Sequence, residues 1–252
     1  MHDLTRFGLS DTIACSATLR RLGKDKTNME EVAHAIVDYL YQNLVDTATG
    51  EKCCTLVRFF KTHPYQKLPE ELRQFVRAKL TGEPCTPMMK CLTLLATVGE
   101  RPAWNHRQLS QNYKAIPLPN QAIAAKSPMF SQLIAQFGLQ FDTVIEPDPE
   151  LFMQLEQKNY NVFYVGEAVG SPYIPAQRDF VIPFGIKSVL GFGGLLPSSC
   201  DLFAIILFSK HHIPRETANL FKPLALSAKL SLLPFVGETI FHPPTVSSVL
   251  PT

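Results

Sequence analysis

The sequence predicts an α+β fold, with a central antiparallel sheet and flanking helices. Two observations carry this. The apolar runs at 185–196 and 202–210 are separated only by the turn 197–201 (PSSCD). That is too short for a crossover, so the two runs pair as an antiparallel hairpin. Upstream, β-rich runs alternate with segments of helical period, but a hairpin inside the sheet argues against a doubly wound parallel arrangement. The 252 residues are 46% hydrophobic and 18% charged, which excludes a disordered chain and leaves enough apolar mass for a core. Thirteen glycines exclude a collagen-like repeat.

The elements follow in order. Leu4, Phe7, Ile13, Ala14, Ala17 and Leu22 lie near helical spacing, and Gly23 ends that segment. Thr27 and Glu30 read as a capping box before the stripe Val32, Ala33, Ile36, Val37, Leu40, Leu44. Asp46–Gly50 is a turn, and Cys53–Phe60 is a strand. Pro69 opens a helix at its first position, with Leu72, Phe75, Val76 and Leu80 on one face. Met88–Val98 contains a strand, within the irregular stretch 84–126. Ser127–Pro128 starts a helix that Gly138 ends, and Phe141–Ile145 reads as a short strand. Asp148–Pro149 caps a helix through Lys158, and Tyr160–Val165 is a strand. The last helix starts at Pro214, with Leu220, Phe221, Leu224, Ala228 and Leu232 on its apolar face; Pro223 predicts a kink within it. The 20 prolines are sparse before Pro64 and then punctuate the connections, which stiffens them.

Net charge is +2, no electrostatic footprint for nucleic acid. The longest strongly apolar run, Leu202–Phe208, is too short to span a bilayer. The start MHDLTRFGLSDT has no apolar core of a secretory signal, and six cysteines occur without a CxxC pair, so a cytoplasmic protein with reduced thiols is expected.

The order of the last third supports a family resemblance. Gly185-Ile186-Lys187-Ser188 leads into an apolar strand, a turn, the strand Leu202–Phe208, and a helix opened by Ile213-Pro214-Arg215-Glu216. This resembles the C-terminal half of GAF domains over 179–236. Segments 57–65 (VRFFKTHPY) and 170–177 (GSPYIPAQ) give the chain the look of an N-terminal input module of bacterial sensor kinases. The resemblance implies an antiparallel sheet with helices on one face and a ligand pocket on the other. It divides the chain into an N-terminal helix (1–27), a GAF-like sensory domain (28–236) and a proline-containing tail (237–252). It implies a non-catalytic sensory or regulatory domain that is not an enzyme. Such a domain would homodimerise through its terminal helices and relay a small-ligand or partner signal to a kinase or other output module. The family's cofactors include tetrapyrroles and haem, and the sequence names none; no Cys-His dipeptide is present, which argues against a bilin. The alternatives are a small-molecule enzyme with its site in the irregular middle, and a dimerisation scaffold without ligand.

The site residues then follow from a GAF-like layout, in which segments over the sheet line the pocket. Arg58, His63, Trp104, His106, Tyr160, Tyr164 and Gln177 are the polar and aromatic groups near those segments, and apolar walls with a few placed polar groups suit a small ligand. No residue is assigned to catalysis or metal binding. Gly191-Phe192-Gly193-Gly194 lacks the Lys-Ser/Thr of a phosphate loop and reads as a tight strand. His211 and His212 are adjacent, so in an extended segment they point apart. His34 flanks a helix stripe and reads as a packed or solvated histidine. Cys53–Cys54 reads as buried core rather than a redox pair. There is no GxSxG, and Ser171 and Ser188 have no identifiable base.

Overall fold

In the computed structural model, which describes residues 1–80, 82–146, 162–197, 199–237 and 240–241, two strands far apart in sequence are neighbours. Strand β3 (Cys54–Pro64) lies beside β8 (Leu202–Ser209) at the centre of one six-stranded antiparallel sheet of order β5-β4-β3-β8-β7-β6. The others are β4 (Lys90–Gly99), β5 (Ala115–Leu118), β6 (Phe163–Val165) and β7 (Ser188–Leu195). A two-residue pair, β1 (His2–Asp3) with β2 (Leu44–Val45), lies outside it. The fold is α+β with the expected central antiparallel sheet.

The β7–β8 hairpin is in regular register from Ser188↔Ser209 to Leu195↔Leu202. Glycines are required there by close approach. A Cβ on Gly193 would sit 2.1 Å from the Phe203 carbonyl oxygen, and one on Gly191 would sit 2.6 Å from Ile206 Cδ1. The glycine run is therefore strand packing, as its sequence context implies.

On one face of the sheet lie α1 (Leu9–Leu19), α2 (Met29–Asn43) and α8 (Lys222–Leu232). Val57, Phe59, Phe192, Phe203, Ile205 and Leu207 meet Val32, Ile36, Leu40, Leu224 and Ala228 there. The N-terminal residues belong to this core: Phe7 stacks on Phe221 with ring centroids 4.6 Å apart, and Thr12 donates to the Leu220 carbonyl at 3.2 Å. The other face, with Leu56, Val189, Ala204, Ile206 and Phe208, is covered by α5 (Pro128–Gln136), α6 (Phe141–Ile145) and the turn Gln177–Val181. A third cluster lies under α3 (Glu70–Lys79), and α4 (Gln121–Ala124) follows β5. Among the described residues no helix is long and apolar enough to cross a membrane.

Several local expectations are corrected. The N-cap of α2 is Asn28, which accepts from the Glu31 N–H at 2.9 Å, while Thr27 N–H donates to the Glu31 carboxylate at 2.9 Å. The reciprocal pattern is there, one residue later than Thr27 and Glu30. Pro69 caps α3 from outside, with Glu70 as its first residue. Phe141–Ile145 is helical because its apolar residues pack around Phe130 and Ile134, and so short a run carries no decisive period. The last helix is two: α7 (Arg215–Asn219) and α8, with Pro223 in the first turn of α8, where its missing N–H has no helical partner to lose. Helix 148–158, the start of strand 160–165 and the tail 242–252 lie outside the described residues.

Candidate functional site

Strand β3 alternates, and that alternation sorts its polar residues. Leu56, Arg58 and Phe60 face the cleft side; Val57, Phe59, Lys61 and His63 face the other. Arg58 stands in the wall of a cleft of about 420 Å³. Phe60, Trp104, Tyr113, Met129, Phe180 and Phe208 supply its apolar lining, and Arg101 and Asp179 its other charged groups. A deeper annex of about 70 Å³ continues from Phe60, Tyr113 and Met129 to Leu202 and Ile206 and is walled almost wholly by apolar groups.

The aromatic wall is interlocked. Trp104 meets Phe180 edge-on with centroids 5.5 Å apart, and Phe180 meets Phe208 edge-on at 5.1 Å. Arg101 lies 4.6 Å over the Phe184 ring and 5.9 Å over Trp104. Gly99 makes room for this, since a Cβ there would come within 2.9 Å of Trp104.

Arg58 has no carboxylate partner among the described residues. Its guanidinium lies 5.5 Å over the Tyr113 ring, and its Nε has no hydrogen-bond partner. Burial pushes its pKa down to about 10, offset only by Tyr113. A guanidinium removed from water without an anion is costly, because its donors lose water and gain little.

Gln177 positions the opposite wall without lining the cleft. Its Nε2 donates to the carbonyls of Ala168 and Ile174, both at 2.9 Å, and its Oε1 accepts from the Gly170 N–H at 2.8 Å. These bonds hold Ile174-Pro175-Ala176 over the cleft. Ala176 sits there at φ 59°, a left-handed conformation that costs a non-glycine residue about 1 kcal/mol or more.

The structure thus brings together Arg58 and Trp104, with Gln177 behind them. The other predicted site residues are corrected. His63 lies on the opposite side of β3, five positions from Arg58. His106 is exposed between two short turns and is absent from the cleft wall. Tyr164 donates to the Ile213 carbonyl at 2.6 Å, and Gln136 brackets its backbone, so it ties β6 to the segment before α7. Tyr160 lies outside the described residues. Missed were Arg101, Tyr113, Phe180 and Phe208. No short-range signal joins them to Arg58.

The far side of β3 carries a second polar cluster. Asp201 accepts from Lys61 Nζ at Oδ2 and from Lys90 Nζ at Oδ1, each at 2.7 Å. All three side chains are buried, and burial pushes the Asp201 carboxyl up, but the two lysines outweigh it and hold it below the usual carboxylate range. His63 is wholly buried beside this cluster, 5.1 Å from the Phe241 ring, with neither ring nitrogen hydrogen-bonded within the described residues. Burial, and then the Lys61 charge, drive its pKa well below the ordinary value, so it is neutral. Five of the six cysteines behave as core, Cys85 being exposed, and burial pushes Cys53 up to about 11 and Cys91 to about 12. Among the described residues no group of three His, Cys, Asp or Glu side chains is placed to hold a metal ion.

No protein-family model matches the sequence, and no curated protein matches it. Solved structures resemble it only in outline. A free methionine-R-sulfoxide reductase from Neisseria meningitidis, solved with its substrate, aligns over 89% of each chain at 10% identity, TM-score 0.47. The phycoerythrobilin-bound GAF domain of a cyanobacterial phytochrome aligns over 90% of this chain and 98% of its own, at 10% identity, TM-score 0.38. The expectation that the chain is not an enzyme is corrected here, because one of these two neighbours is an enzyme and a GAF-like layout is no ground for excluding catalysis.

Proposed function

We propose that the chain is a ligand-binding sensory domain whose cleft takes a small organic anion with a flat apolar body. The carrying observation is Arg58: a guanidinium in the cleft wall with no carboxylate partner among the described residues and an unsatisfied Nε. An anion there would supply the missing acceptors in a partly desolvated site, where charge-assisted hydrogen bonds are strongest. Trp104, Phe180 and Phe208 give the planar body its stacking surface, and the annex beneath Phe60 takes an apolar substituent. The volume suits a metabolite-sized ligand.

Relay would run through the terminal helices. Leu9 and Ile13 on α1, and Leu226 and Leu230 on α8, are exposed large apolar residues on helices that pack together. Spaced four apart on each helix, they form a stripe that a second copy of the chain would cover, making a four-helix contact. Ligand binding at Arg58 would then be felt across the sheet through β3 and β8, and a bound or attached kinase-type module would read the helix packing.

The test uses 1-naphthoate as probe, followed by saturation-transfer NMR, alongside native mass spectrometry of freshly purified protein. Wild type is expected to bind the probe, and Arg58→Met to lose it. Equal binding by wild type and Arg58→Met would overturn the reading.

A further inference from the structure

We propose a second, separate binding site, for small molecules that carry an oxyanion, at the end of the sheet where β4 begins and the β7–β8 turn closes. A cavity of about 560 Å³ opens there, and Lys90 and Asp201 form part of its wall. It shares none of its lining with the Arg58 cleft.

The Lys90 ammonium has donors left over. Lys90 is 4% exposed, so little water reaches it from outside the cavity. An ammonium carries three N–H donors. Within the described residues Lys90 makes one hydrogen bond, to Asp201 Oδ1 at 2.7 Å. Its remaining donors have no hydrogen-bond partner among the described residues, and Lys90 lines the cavity. Asp201 is shared between the two ammonium groups, its other oxygen holding Lys61 at 2.7 Å.

Charge points the same way. Lys61 and Lys90 face a single carboxylate, and His63 beside them is neutral, so the buried cluster carries one excess positive charge. Among the described residues the charged lining of the cavity is Lys67, Lys90, Asp201 and Glu146. With Lys61 behind Asp201, these described groups set three cations against two carboxylates. A buried cation not matched by an anion is unfavourable, and an oxyanion at Lys90 would remove the mismatch. Gln66, Thr86 and Ser199 add hydrogen-bonding groups to the wall, while Met88, Leu118 and Ile145 offer apolar contact to whatever the oxyanion is attached to. Carboxylate and phosphate share this chemistry.

Inorganic phosphate and acetate, each titrated against chloride of matched ionic strength, test the site by amide chemical-shift mapping on the wild-type chain. Shifts concentrated at 64–67, 86–90 and 199–201 are expected, with Arg58 and Trp104 unmoved. Response to phosphate alone, acetate alone or both supports the proposal and tells which oxyanion the site prefers. Response to neither, or shifts confined to the Arg58 cleft, overturns it. Lys90→Met, which keeps the Lys61–Asp201 pair, is expected to weaken binding about tenfold or more, the loss of a charge-assisted hydrogen bond. Arg58→Met is expected to leave this binding unchanged. Undiminished binding by Lys90→Met also overturns the proposal.

Discussion

Lys61 and Asp201, 140 residues apart in sequence, meet as a buried ion pair with Nζ 2.7 Å from Oδ2. The contact joins the middle of β3 to the turn before β8, and Lys90 closes it from β4. Asp201→Asn would leave two buried ammonium groups facing a neutral amide. Removing one partner of such a cluster costs about 3–5 kcal/mol. The expected outcome is an unfolding free energy lower by that margin in urea melts, and an unchanged value would show that the cluster contributes nothing net.

The same cluster sets an acid limit. The folded-state pKa of Asp201 lies below its ordinary value of 3.8, so its contribution is present above the ordinary carboxylate range and is lost as pH falls through the folded value. Asp201→Asn should therefore flatten the stability profile below about pH 4, measured by urea melts in steps of acid pH.

His63 acts in a higher window. Its folded pKa is far below the ordinary 6.5. Below that value the unfolded chain takes up a proton that the folded chain refuses, so stability falls by up to about 1.4 kcal/mol per pH unit. His63→Phe should remove that slope between about pH 6.5 and 5. A slope equal to wild type would place the proton uptake elsewhere.

Arg58 is expected to trade stability for binding. Arg58→Met replaces a desolvated guanidinium, without a carboxylate partner among the described residues, by a flexible apolar chain against Phe60 and Tyr113. Folding should strengthen by about 1 kcal/mol, as at other strained functional positions, while the naphthoate signal disappears. A destabilised variant would mean that the stacking on Tyr113 outweighs the desolvation.

Gly193→Ala should damage the hairpin. The added carbon would lie 2.1 Å from the Phe203 carbonyl oxygen, with backbone rather than a pliant side chain in its way. Overpacking of this kind costs about 1–3 kcal/mol. Gly185→Ala meets nothing within 4 Å and fails only through its positive φ of 62°, so it should cost less. Thermal melts of the two variants rank them.

Much of the frame was legible one residue at a time. The apolar runs around the PSSCD turn could only pair antiparallel, and the 3.6-residue stripes of α2, α3 and α8 each named their buried face. Where local signals failed, the physical reason is scale. Phe141–Ile145 is five residues long, too short for strand and helix periods to differ, and packing against Phe130 decided it. Pro223 reads as a kink within one helix, but the chain forms two, ending at Asn219 and restarting at Lys222, and Pro223 falls in the first turn of the second.

The site divides in the same way. That Arg58 and His63 cannot share a pocket was already written in their spacing, since an odd separation along a strand puts them on opposite faces. The sequence by itself determined the sheet's hairpin, the buried faces of α2, α3 and α8 and the presence of cations in an otherwise apolar strand, because these depend on periods of two and 3.6 residues, whereas on α1 the expected face (Ile13, Ala14, Ala17) is exposed and Thr12, Cys15, Ser16 and Leu19 are buried instead. Only the tertiary structure decided that Arg58 stands beside Trp104 and Phe180 with no carboxylate partner among the described residues, while Lys61 and Lys90 converge on Asp201. Those relations depend on which strands lie side by side, and no local spacing encodes a neighbour 140 residues away.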